Sequence, residues 1–156
     1  MSEKSIARVL LYSHDRNVRE QVKLALGKRI ATDLPQLEVI ETATAPALLQ
    51  HLEVGNIDLV VLDGEATPAG GIGLAYQLKD EIPVCPPTLL LVVRVADAWL
   101  ATWSKADAVA FYPIDPVQLA KTAADLLRAW FSEAEAESEQ TETEQTPADQ
   151  METTPS

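Results

Sequence analysis

A chain of 156 residues, 47% of them hydrophobic, is sized for one domain with a real core. No apolar run approaches the roughly 18 residues that cross a bilayer, so direct membrane insertion is disfavoured. The formal net charge of -12 leaves no basic patch to neutralise phosphates, so nucleic-acid binding is disfavoured too. Cys85 is the only cysteine, which excludes an intramolecular disulfide and a cysteine-based metal cluster. Met1 to Ser5 has no basic, apolar and cleavage pattern of a signal peptide, and a cytoplasmic location is expected.

Five strand-sized apolar runs follow in order: Ile6 to Tyr12, Leu37 to Ile40, Ile57 to Leu62, Thr88 to Val93 and Val109 to Tyr112. The runs ARVLLY, DLVVL and TLLLVV are almost continuously apolar instead of alternating, as parallel strands covered on both faces require. Between them, apolar residues recur at helical spacing: Val18, Val22 and Leu26, then Leu48, Leu49 and Leu52 behind a helix-starting Pro46. Ile72, Ala75, Tyr76 and Lys79 follow the third strand, Trp99, Leu100 and Trp103 the fourth, and Leu119, Ala123, Leu126, Leu127 and Trp130 the fifth. Five strand-helix units predict an α/β doubly wound, five-stranded parallel sheet, with its ligand site at the carboxyl ends of the strands.

Charge divides the chain at residue 132. Residues 133 to 156 hold eight acids and no Lys or Arg, leaving residues 1 to 132 with 12 bases against 16 acids, a net -4. The tail has no aromatic or branched apolar residue to offset the entropy of ordering, so a folded domain at 1 to 132 and a disordered acidic tail at 133 to 156 are expected.

The site must come from Ser13-His14-Asp15, Asp63-Gly64-Glu65, Val92-Val93-Arg94 and Tyr112-Pro113 at the strand ends. With Arg19 on the first helix, the segments DLVVLDGEATPAGG and FYPIDPVQLAKTAADLLR, and a Pro-led fourth strand, residues 6 to 130 resemble the receiver domain of bacterial response regulators. The resemblance implies a flavodoxin-like receiver fold and makes Asp63 the phosphoacceptor position. In that family a carboxylate attacks phosphorus while magnesium, held by acids ending the first strand, neutralises charge. The two metal-binding acids fall on Ser13 and His14, followed by the acidic Asp15. The Ser/Thr that senses phosphate falls on Val92, the Lys that pairs with it on Tyr112, and the aromatic switch position on Val109. Ser13 and His14 are poor magnesium ligands, so no cofactor beyond a weak Mg²⁺ held by Asp15 and Glu65 is expected.

Other chemistries are poorly supplied. His14-Asp15 invites a metal-hydrolase reading, but the other histidine, His51, falls on a surface helix. Gly70-Gly71-Ile72-Gly73 lacks the Lys-Ser/Thr of a phosphate loop, and Cys85 has no base beside it. Trp99 and Trp103 stand one turn apart on the fourth helix, where Trp99 with Leu100 is expected to pack down on the sheet and Trp103 to face outward as a partner anchor. The expectation is a stand-alone, non-enzymatic pseudo-receiver that binds a protein partner without phosphorylation through its fourth and fifth helices. Its DGEATPAGG segment is similar to a bacterial subgroup associated with respiratory complex I, which implies that complex as partner and a peripheral place at the inner membrane. A conventional phosphorelay receiver accepting phosphate on Asp63 is the alternative.

Overall fold

The structure, a computed structural model, describes residues 5–67, 69–93 and 98–152. Pro68 and Arg94, two members of the strand-end segments, lie outside the described residues, as does the side chain of Leu100.

The chain alternates strand and helix throughout: β1 (Ile6–Tyr12), α1 (Arg16–Leu26), β2 (Gln36–Thr42), α2 (Ala45–Val54), β3 (Leu59–Asp63), α3 (Gly71–Glu81), β4 (Thr88–Val92), α4 (Ala98–Trp103), β5 (Ala108–Phe111) and α5 (Pro116–Glu152). All strand pairs are parallel and run in the order β2-β1-β3-β4-β5. The order reverses between β1 and β3, so the ends of those strands open a crevice there. Every residue of β3 and β4 is buried, the reason these strands read as unbroken apolar runs.

Two apolar layers cover the sheet. On one face Val22 and Leu26 of α1 and Leu119, Ala123 and Leu127 of α5 pack on Val9, Leu11, Val61 and Leu89. On the other, Leu48 of α2 and Leu74, Ala75 and Leu78 of α3 pack on Leu10, Val60, Leu62 and Leu90. Local signals set the helix starts: Asp15 accepts the Asn17 N–H, and Thr44 accepts the Ala47 N–H ahead of Pro46.

Two expectations are corrected. Tyr76, placed on the buried stripe of the third helix, is 37% exposed, and Leu74 and Leu78 fill that space. Trp99 does not pack down on the sheet but is 66% exposed, on a helix α4 of only six residues. The helical span of α5 runs on through the acidic segment to Glu152, where Glu, Ala and Gln are strong local helix formers. Among the described residues Phe131 is the last one packed against the core, and residues 132–137 are exposed.

Candidate functional site

The end of β3 is built for close approach. A Cβ on Gly64 would stand 2.6 Å from the Leu91 carbonyl oxygen, and one on Gly71 would stand 2.6 Å from that of Asp63, so both positions need glycine for the backbones to meet. The turn is held by Gly64 N–H donating to Leu91 O at 2.8 Å and Ala66 N–H donating to Asp63 O at 3.2 Å. This is why Asp63 is presented at the crevice while remaining only 2% exposed.

Both oxygens of its carboxylate accept hydrogen bonds. Ser13 Oγ donates to Oδ2 at 2.7 Å, while the Tyr112 hydroxyl donates to Oδ1 at 3.0 Å and the Glu65 N–H to the same oxygen at 2.9 Å. Three donors satisfy a buried charge that would otherwise be costly. Burial, then the Asp63 charge and the hydrogen bond to it, push the Tyr112 hydroxyl far above its ordinary range, with Glu65 and Asp15 adding to the effect. The phenol therefore stays a donor. Tyr112 precedes Pro113 through a cis peptide bond, and its backbone N–H donates to Val92 O at 3.0 Å.

The residues ending β1 are equally occupied. Ser13 is wholly buried, its hydroxyl oxygen accepts the Asp15 N–H at 3.0 Å, and its carbonyl accepts from Arg19 at 2.7 Å. Exposed His14 accepts the Thr67 N–H on Nδ1 at 3.0 Å, and Asp15 Oδ1 accepts the Asn17 N–H at 2.8 Å. Val92 is fully buried in the α2–α3 layer and Val109 packs against the same layer. Ser13, Asp63 and Tyr112 are thus brought together, His14, Asp15 and Glu65 surround them, and Val92 turns its side chain into the core.

A receiver's magnesium requires several hard oxygen ligands with free lone pairs. Here Ser13 donates its hydroxyl hydrogen to Asp63, whose carboxylate accepts three hydrogen bonds, and His14 Nδ1 accepts from Thr67. Ser13 and His14 offer a hard ion poorer ligands than the two acids they replace. Among the described residues no group of three or more His, Cys, Asp or Glu is placed to hold a metal.

Away from the pocket, α4 carries the other predicted site residues. Trp103 is 54% exposed and stacks on Tyr76 of α3, with ring centroids 4.7 Å apart and planes 14° apart. Lys105 Nζ lies 5.2 Å from the Tyr76 ring centre. Trp103 therefore leans toward α3 while more than half of it stays exposed. Sequence reading missed Tyr76 as part of this surface, and it missed that Ser13 and Tyr112 serve as donors. A hydroxyl-bearing residue at both replaced positions was the available signal for the second.

The order of strands, the crevice position and Asp63 at the end of β3 define a CheY-like receiver fold. Solved structures with this fold include a CheY-like receiver domain protein from Methanospirillum hungatei, at TM-score 0.65 and 19% identity over 83% of this chain and 99% of that one. The signal receiver domain of an HD domain-containing protein from Pseudomonas fluorescens aligns at TM-score 0.71 and 19% identity over 86% and 96%. No protein-family model matches the chain. An uncharacterised response regulatory protein of Mycobacterium tuberculosis, found under that description in two strains, is 51% identical over 130 residues, covering 83% of this chain and 98% of the relative. The chain belongs to the response-regulator family and contains its receiver domain. Among the described residues no helix is long and apolar enough to cross a membrane.

Proposed function

We propose that this receiver is a phosphorylation-independent protein-binding module that holds one conformation. The observation that carries the reading is the closed Asp63 carboxylate, whose two oxygens accept from Ser13, Tyr112 and Glu65. Phosphoryl transfer needs a carboxylate oxygen to attack phosphorus as the bond to the donor's leaving oxygen breaks, with cations balancing the charge. Here Oδ1 already accepts two hydrogen bonds and Oδ2 one, and a phenol stands where the family places its Lys. Val92 offers no hydroxyl for a phosphoryl oxygen, so phosphorylation would have no switch to bias. A protein of this kind acts through a constant surface, and the exposed rings of Trp99, Trp103 and Tyr76 are its best anchors. Respiratory complex I is the partner to test first, which would place the protein beside the inner membrane without inserting in it.

The test is intact-mass analysis after incubation with acetyl phosphate and Mg²⁺. Asp63 is expected to remain unmodified. A phosphorylated population that vanishes in Asp63→Asn would establish the alternative, a phosphorelay receiver, which the carboxylates of Asp15 and Glu65 near Tyr112 favour.

A further inference from the structure

The face formed by α1 and α5 carries an open groove of about 550 Å³, lined by Leu26, Ile30 and Val117 and rimmed by Arg29, Lys121 and Arg128. Of the 12 Lys and Arg in the chain, Arg16, Arg19, Lys23, Lys28 and Arg29 lie on or just after α1, and Lys121 and Arg128 lie on α5. Several are already paired: Arg128 with Asp33 and Asp125, and Arg19 and Lys23 with Glu41. Arg29 and Lys121 form no ion pair among the described residues, and both are exposed at the groove. Val117 beside them is 80% exposed, so the groove combines these two cations with uncovered apolar surface.

The complement to this face is on the same chain. From Glu133 to Glu152 the last part of α5 holds eight acids and no base. It cannot reach its own groove. The groove is lined by the first part of that same helix, and at about 1.5 Å of rise per residue Glu135 already stands about 10 Å past Arg128 along the axis. A second chain can bring it there.

We propose that the acidic end of α5 from one copy docks on the α1–α5 groove of another, and reciprocally, in an antiparallel two-fold dimer. An isologous contact of this kind uses each groove and each helix end once and closes on itself. With the two-fold axis near Trp130, where core packing of α5 ends, the helix register sets position 121 of one copy level with position 139 of the other. Antiparallel helices also set opposite ends of their dipoles side by side. This surface is distinct from the pocket and from the aromatic residues of α4, so the inference stands or falls independently of the proposed function.

Sedimentation equilibrium on the full chain is the test. Wild type is expected to dimerise reversibly. Arg29→Glu with Lys121→Glu should weaken association roughly tenfold or more, as should Glu135→Lys with Glu139→Lys on the helix end. Arg29, Lys121 and Glu135 are exposed, and circular dichroism of each variant checks that the fold is retained. Mixing the two variants sets opposite charges across both contacts, one reversed and one native, and should recover a heterodimer. A wild type that stays monomeric to its solubility limit overturns the proposal. So does a dimer indifferent to reversal of the groove charges, or a failure of the mixed variants to associate.

Discussion

Ser13 and Tyr112 do opposite things to Asp63 from the residues they replace. Acids at the first position would repel the carboxylate unless a metal lay between them, whereas a hydroxyl donates to it directly. Each of these buried, charge-accepting hydrogen bonds contributes about 2 kcal/mol. Ser13→Ala is therefore expected to lower stability by about that amount in urea denaturation, because Asp63 Oδ2 loses its donor at 2.7 Å. Tyr112 adds a pH dependence with a definite sign. Its folded pKa lies above the unfolded value of about 10, so the folded state holds the phenolic proton more tightly. The stabilisation is complete below about pH 10 and declines as the pH rises above it. Tyr12, also raised by burial and by the Asp63 charge, acts in the same direction. Thermal melts at about pH 9 and pH 11 should show a larger loss for wild type than for Tyr112→Phe. An equal loss in both would show that the phenol does not report on the pocket. The usual control for phosphoacceptor loss, Asp63→Ala, strips three donors of their partner here, so Asp63→Asn is the variant that separates chemistry from folding.

α4 and α5 differ in how they are held. α4 is short, and its Trp103 is fixed by the stack on Tyr76 instead of by the sheet. Such a pair contributes about 1 kcal/mol and holds the ring before any partner arrives, which reduces the entropy lost on binding. Trp103→Ala is expected to cost about 2 kcal/mol or more in partner affinity, near thirtyfold, while Asp63→Asn leaves affinity within about twofold. Titration of the two variants against complex I or another captured partner checks this, and the reverse pattern would return the chain to phosphorelay signalling. α5 is anchored along its first half by Leu119, Ala123 and Leu127, and by Trp130 donating from Nε1 to buried Asp58 at 3.1 Å. Beyond Phe131, residues 132–137 of the helix are all exposed. Removing residues 133 to 156 should leave the melting temperature of the monomer unchanged within about 2 °C. A large drop would place the extension against the domain. Pro147, inside the helical span, lacks the N–H for its hydrogen bond, and Pro147→Ala should raise helicity in circular dichroism.

Across the whole molecule, sidedness follows from how the chain is wound. α1 and the first half of α5 share one face of the sheet, while α3 and α4 bring Tyr76, Trp99 and Trp103 to the other side. The winding itself was legible in the amino-acid order, because runs such as LVVLD and TLLLV must be covered on both faces and helical stripes separate them. The replaced pocket positions Ser13, His14, Val92 and Tyr112 were legible too, since each is a one-position contrast with a family pattern. Two matters were decided only by tertiary structure. Whether Ser13 and Tyr112 leave Asp63 open or close it depends on a few ångströms between residues 50 and 49 positions away from it in the chain. Which way the indoles point depends on how α4 seats beside α3, and a six-residue helix has too little periodicity to declare a buried face. Periodicity fixes which residues need a core, a demand local to each element. Closure of the pocket, orientation of the rings and pairing of charges arise between elements remote in sequence, and only the folded chain sets those distances.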